Sequence, residues 1–348
     1  MKNIKEIIDK IYKEHSSNYE ELSIILNNIS FETSEYLFEK AQKVSTSIFG
    51  KKVYVRGLIE FTNYCRNNCF YCGIRSGNKN VDRYRLTKED ILSCCKNGYD
   101  LGMRTFVLQG GEDNYYTDEI MVDIISSIRK NYEDCAITLS LGERTKETYK
   151  KYFDAGANRF LLRHETINSE HYQKLHPENL NIENRVQCLY NLKEIGFQVG
   201  TGFMVGSPYQ KIENIIEDIL FIKKFSPQMI GLGPFIPHKD TIFKDETSGS
   251  VDLTLVILAL VRLMNPNALI PATTALGTVD KMGREKGILA GANVLMPNLS
   301  PLRVREKYLL YDNKICTGEE AAECKYCLEN RIKKIGYEIV VDRGDFGI

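Results

Sequence analysis

The sequence has no excess of charge of either sign. Its 46 Lys and Arg residues balance 46 Asp and Glu residues, which removes any electrostatic case for a nucleic-acid or anionic-membrane partner. It has no long apolar run. The longest, residues 255–261, is far short of the roughly 20 residues that a membrane span needs. The first residues, Met1-Lys2-Asn3-Ile4-Lys5-Glu6, alternate charge with apolar side chains and contain no signal-peptide core, so a cytoplasmic location is expected. Ten cysteines in 348 residues are too few for a disulfide scaffold, and they cluster. No general acid–base pair stands out, and no glycine-rich nucleotide turn follows the first expected strand. What the chain does have is a 43% hydrophobic content, enough for a substantial core, and a length that fits one (β/α)8 barrel with additions.

The chain is organised around Cys65-Arg66-Asn67-Asn68-Cys69-Phe70-Tyr71-Cys72, a C-x3-C-x2-C run. It follows a β-branched and aromatic stretch, 53–62, that reads as a strand, so the cysteines fall on a loop at a strand's C-terminal end. Three thiolates at this spacing wrap an iron–sulfur cluster from one side. A fourth cysteine would close it, but the next are Cys94 and Cys95. One iron is therefore left open to chelate a small molecule, as the open position does in catalytic zinc sites. Structural zinc is the weaker reading, since only one C-x2-C knuckle is present. Such a cluster requires a reducing, oxygen-poor compartment.

From residue 53 onward, strand and helix patterns alternate. Strands are expected near 53–61, 104–109, 136–140, 159–163, 198–203, 229–233, 269–273 and 293–296. Helices are expected between them, one opening at the capping box Thr87-Lys88-Glu89-Asp90. Eight such units over about 250 residues imply a complete (β/α)8 TIM-type barrel; an open doubly wound sheet is the alternative. Residues 1–50 read as a helical cap, 51–300 as the barrel, and 301–348 as a segment bearing Cys316, Cys324 and Cys327. This second triad is a candidate for another cluster, for zinc, or for free thiols.

Unusual residues gather where the strands end. Gln109-Gly110-Gly111-Glu112 places paired glycines where backbone can approach a ligand. Thr138 and Ser140 alternate onto one face, and Arg159, Arg163 and Glu165 share a parity. Charged groups facing a barrel interior must be paired or bind a ligand, and the arginine fork suits a carboxylate. Arg185 is within reach of the same region, and Thr273-Thr274 offers a carboxylate pocket. His164 has the opposite parity and reads as structural, and Met229 reads as core.

The C-x3-C-x2-C loop, with an aromatic before its last cysteine, resembles that of radical S-adenosylmethionine (SAM) enzymes. Stretches 63–75, 108–113, 162–166, 231–238 and 270–275 further resemble the HydE family of FeFe-hydrogenase maturases. The resemblance covers about residues 50–330. It implies a 4Fe–4S cluster on Cys65, Cys69 and Cys72, whose open iron binds SAM. The reduced cluster would then cleave SAM to a 5′-deoxyadenosyl radical. It implies SAM contacts from Gln109, Gly110, Gly111, Glu112, Ser140, Glu165, Arg185, Met204 and Tyr308. Thr138, Arg159, Arg163, Thr273 and Thr274 would surround the substrate's carboxylate. Cys316, Cys324 and Cys327 fit the family's optional second cluster, 2Fe–2S or 4Fe–4S. The implied role is assembly of the hydrogenase two-iron subcluster and its dithiomethylamine bridge. The substrate would be an iron–cysteine complex carrying CO and cyanide, with the maturases HydG and HydF as partners and ferredoxin or flavodoxin as electron donor. His176 stands where relatives often carry Arg. Methylornithine synthase is the nearest rival. Biotin synthase would need further cysteines on barrel strands, and a cluster carrier would need no shaped cavity.

Overall fold

The computed structural model describes residues 3–318 and 321–347. Three helices come first: α1 (Ile4–Glu14), α2 (Tyr19–Asn28) and α3 (Phe31–Phe49). Asn3, Asn18 and Ser30 cap them by accepting from the N–H groups of Lys5, Glu21 and Thr33, donors that a first helical turn leaves free. The apolar spacing of the sequence buries Ile7, Ile8 and Ile11 on α1, and Leu37 and Ala41 on α3.

The alternating region runs β1 (Lys52–Val55), β2 (Gly57–Thr62), α4 (Lys88–Asp100), β3 (Thr105–Gly110), α5 (Asp118–Asn131), β4 (Ala136–Ser140), α6 (Lys146–Asp154) and β5 (Arg159–Leu161). It continues through α7 (Ser169–Leu175), α8 (Ile182–Ile195), β6 (Gln198–Thr201), β7 (Met204–Val205), α9 (Ile212–Phe225), β8 (Met229–Ile230), β9 (Gly233–Pro234) and α10 (Val251–Met264). Then follow α11 (Thr274–Val279), α12 (Gly283–Leu289), β10 (Val294–Leu295), α13 (Leu302–Arg305), α14 (Ala321–Lys334) and β11 (Glu338–Val340). The first three helices pack on α9 and α10, on the outside of this array.

β2, β3, β4, β5, β6 and β8 form one parallel sheet in that order. Parallel bridges carry the pairing on from Met229 to Leu269 and from Pro271 to Val294. β10 then pairs with β1, so the circuit returns to its start in the manner of a (β/α)8 barrel.

Three expected strands differ in detail. The first divides at Arg56. Below it, β1 pairs with β10 and with β11; above it, β2 pairs with β3. The last strand of the described chain thus occupies the edge of β1 below the point where β3 begins. The 269–273 strand is reduced to isolated bridges, because Pro271 has no N–H to give the ladder. The 229–233 strand splits into β8 and β9, and β9 pairs with β7 in a separate two-stranded ladder. The expected capping box at Thr87 and Asp90 does open α4. Among the described residues no helix is long and apolar enough to cross a membrane.

Candidate active site

A cavity of about 290 Å³ opens at the C-terminal ends of the strands, and Cys65, Cys69 and Cys72 line it. Backbone hydrogen bonds pin their loop on three sides. Arg66 N–H donates to Glu112 O at 2.9 Å, Phe70 N–H to Leu175 O at 2.9 Å and Gly73 N–H to Leu310 O at 2.9 Å. Asn63 Nδ2 fastens the loop's start to Asp82 O and Lys307 O. The glycine pair after β3 gives the room this closure needs. A Cβ on Gly111 would lie 2.2 Å from Tyr64 O and 2.7 Å from Cys65 Cβ.

No disulfide links the three thiols. Burial, followed by the charge of the neighbouring thiols, pushes Cys69 well up and Cys72 up to about 12. Half-buried thiols raised in this way would be ionised by a strong positive charge beside them, such as bound iron would supply. Among the described residues no three His, Cys, Asp or Glu side chains stand close enough to hold one metal ion. The three cysteines face one cavity. Their donor set and spacing fit an iron–sulfur cluster.

Gln109, Gly110, Gly111, Glu112, Ser140, Glu165, Arg185, Met204 and Tyr308 all line the same cavity. Glu112 is already engaged there. Its carboxylate accepts from Arg66 Nε at 3.0 Å and from Glu143 N–H at 2.9 Å, so it also fastens the cysteine loop. Gln109 Nε2 donates to Tyr308 OH at 3.4 Å. Glu165 sits at φ 65°, a conformation unusual for a residue with a side chain, and its carboxylate accepts from Arg163 Nη2 at 2.9 Å. Arg185, which is buried, lies 3.0 Å from Glu143 Oε1 and donates to Tyr172 OH and Arg163 O.

Of the residues expected around a substrate carboxylate, Arg163 and Thr273 line the cavity. Arg159 does not. It is fully buried at the other end of β5, bonded to Thr105 Oγ1, to the carbonyls of Arg343 and Gly344, and to Asp345 at 2.6 Å. Parity placed it inside the barrel correctly, but Leu161 stands between it and the cavity. The chain after β11 passes beneath the barrel and supplies the counter-charge. Thr138 also lies below the cavity, and its hydroxyl has no hydrogen-bond partner among the described residues. Thr274 is the first residue of α11, behind its cap Thr273, and is not in the cavity wall.

His164 is structural, as its parity suggested: it is buried, 2.8 Å from Thr201 Oγ1 and 3.3 Å from Asp218. In the tail, Cys316 is half-buried and its sulfur accepts from Arg284 Nη2 at 3.3 Å. Cys327 is exposed on α14. The side chain of Cys324 lies outside the described residues. Sequence reasoning gave no role to Glu143, Leu310 or Tyr311. The last two line the cavity, and the aromatic Tyr311 beside Tyr308 was the available signal.

The description "Radical SAM superfamily" matches residues 59–222. The chain is 43% identical over 333 residues to the [FeFe] hydrogenase maturase subunit HydE of Thermotoga maritima, covering 95% of this chain and 94% of that one. It is 31% identical over 289 residues to a 3-methylornithine synthase of Methanosarcina acetivorans, covering 82% and 81%. A crystal structure of methylornithine synthase (PylB) superimposes with a TM-score of 0.83 at 27% identity, over 96% of this chain and 97% of that one.

Proposed function

The chain belongs to the radical SAM superfamily, in the group that holds the HydE maturases, and from that premise we propose that it is a radical SAM enzyme of FeFe-hydrogenase maturation. Three thiols, a glycine-paired backbone and the Arg163–Glu165 pair facing one cavity carry the reading. The 43% identity to HydE, against 31% to methylornithine synthase, supports maturation over lysine rearrangement.

Cys65, Cys69 and Cys72 would hold a 4Fe–4S cluster. When bound, that cluster supplies one electron to the reductive cleavage of SAM. The chain's own residues bind and orient. Gly110 and Gly111 bring backbone close to the ligand, Gln109 and Tyr308 form one wall, and Ser140, Glu165, Arg185 and Met204 form the other. Glu112 acts mainly through Arg66, holding the cysteine loop closed. Arg163 and Thr273 would anchor the carboxylate of a small substrate, fixing its reacting atom in place. The enclosing barrel excludes water from a reactive species. The barrel carries this chemistry, while the helices before it serve its packing. The finer reading is a substrate made of an iron–cysteine unit with CO and cyanide, received from HydG and passed towards HydF, with ferredoxin or flavodoxin as the reductant.

The test is 5′-deoxyadenosine release from SAM by anaerobically reconstituted, reduced protein. Release stimulated by a synthetic iron–cysteine carbonyl cyanide complex supports the maturase reading. Stimulation by lysine alone replaces it with methylornithine synthesis. Cys69→Ala is expected to abolish release, and wild-type rates in that variant would overturn the cluster assignment.

A further inference from the structure

One buried ion pair plays no part in this reading. Glu60, on β2, is 1% exposed, and Lys314, far along the chain, is 6% exposed at its side chain; the two charges lie 2.5 Å apart. The second carboxylate oxygen of Glu60 accepts from Asn298 Nδ2 at 2.9 Å. Ser300 Oγ accepts from Glu60 N–H at 2.8 Å, and Tyr84 OH donates to Glu60 O at 2.6 Å. Desolvating two such charges offsets most of their attraction, so a pair this deep is poor as a stabiliser and good as a fixer of register.

What it fixes is the strap of chain from Lys307 to Lys314. Tyr308, Leu310 and Tyr311 on this strap line the cavity. The Lys314 ammonium donates to Tyr308 O at 2.9 Å and lies 4.9 Å from the centre of the Tyr308 ring. Leu310 O takes the N–H of Gly73, the residue after Cys72, at 2.9 Å. The approach is so close that a Cβ on Gly73 would lie 2.2 Å from Leu309 O. Glu60 also pairs in register with Gln109, which donates to Tyr308 OH. One anchor thus sets both a cavity wall and the backing of the cysteine loop.

We propose that Lys314, through Glu60, is a positioning residue for SAM: it holds the strap so that Tyr308 and Tyr311 form the wall against which SAM is bound. This rests on the reading of the cavity as a SAM site.

The experiment measures the SAM dissociation constant of reconstituted holoenzyme by the change SAM causes in the electron paramagnetic resonance signal of the reduced cluster. Iron content and thermal midpoint are measured alongside. Hydrogen–deuterium exchange over 307–314 is followed in iron-free protein. Lys314→Met is expected to weaken SAM about tenfold, roughly the loss of one well-placed polar interaction, with iron content kept and exchange on the strap faster. Lys314→Arg should restore most of the affinity. If Lys314→Met leaves the Glu60 charge too costly for folding, the double variant Glu60→Gln/Lys314→Met removes both charges. It is expected to fold and still bind SAM weakly. A lowered thermal midpoint with unchanged SAM affinity and unchanged strap exchange, in whichever variant folds, overturns the proposal. No SAM effect on the wild-type signal sinks the cofactor reading and this proposal with it.

Discussion

Arg159, on β5, and Arg163, just beyond its end, share a parity, yet one meets the chain's own Asp345 and the other looks into the cavity. The difference has a consequence in acid. Burial works against the Asp345 carboxylate, but the bonded Arg159 guanidinium, with Arg343 beside it, holds its pKa below the usual range. A carboxyl depressed on folding contributes stability that is full above its unfolded pKa, about 3.9, and is lost as pH falls through the folded value. Asp345→Asn should therefore cost about 1–3 kcal/mol at pH 7, discounted because Asp345 is part exposed. The gap from wild type should close below about pH 4, as read by chemical denaturation, and SAM binding should not change. His176 also costs stability in acid, but from a ring buried in its neutral form and over a higher pH window. Its Nδ1 donates to Tyr172 O at 2.9 Å, its ring stacks on Tyr172, and its Nε2 faces Tyr71 OH at 3.3 Å. Burial, then the charge of Arg185, lowers its pKa to about 3. It stays neutral at working pH, where the unfolded chain takes up a proton below its unfolded value of about 6.5. Stability should fall as pH drops through that window. His176→Gln should remove one proton's worth of slope, about 1.4 kcal/mol per pH unit; an unchanged slope would show the ring to be solvated.

At the scale of elements, much was legible because the code is local. Helix caps, period-two strands and closing glycines such as Gly196, the αL cap of α8, placed the βα units near their sites. Interruptions were less legible. Pro271 breaks its own ladder, a fact written in its chemistry. The division of β1 from β2 at Arg56 depends instead on β11, more than two hundred residues on, and no local pattern carries that. The tail segment illustrates the same limit. Its cysteine spacing was plain, but Cys316 leaves the strap in a left-handed conformation, at φ 64°, while Cys327 rides on α14. Because Cys327 is exposed and outside the cavity, Cys327→Ser should leave 5′-deoxyadenosine release unchanged, whereas Cys72→Ser should abolish it. Loss of release in both would mean that the tail thiols serve the same reaction, and iron analysis of each variant would show whether the catalytic cluster itself had been lost.

At the scale of the whole molecule, the site was legible because a barrel gathers the ends of its strands into one mouth. Thus Gln109, Ser140, Arg163 and Thr273, far apart in sequence, line one cavity. Depth within the barrel was not legible, since parity separates inside from outside but not top from bottom; Arg159 and Thr138 were misplaced for that reason. The opening helices raise a related question of what counts as core. Ile7, Ile11, Leu22, Ile25 and Leu37 belong to one continuous apolar cluster with Ile215, Ile219, Leu255 and Leu258 of α9 and α10. α10 is buried from Thr254 through Met264, so one of its faces meets the barrel and another meets α1 and α3. Each fully buried Ile or Leu contributes roughly 1.5–3 kcal/mol, and truncating one such as Ile25 to Ala should cost about 2–5 kcal/mol. Removing residues 1–50 would expose the whole outer face of α10 at once, more apolar surface than a soluble monomer presents. The truncated chain should therefore aggregate rather than persist as a smaller active barrel, as size-exclusion chromatography with iron analysis would show. A monomeric truncated protein that still cleaves SAM would mean that these helices cover a barrel already complete without them.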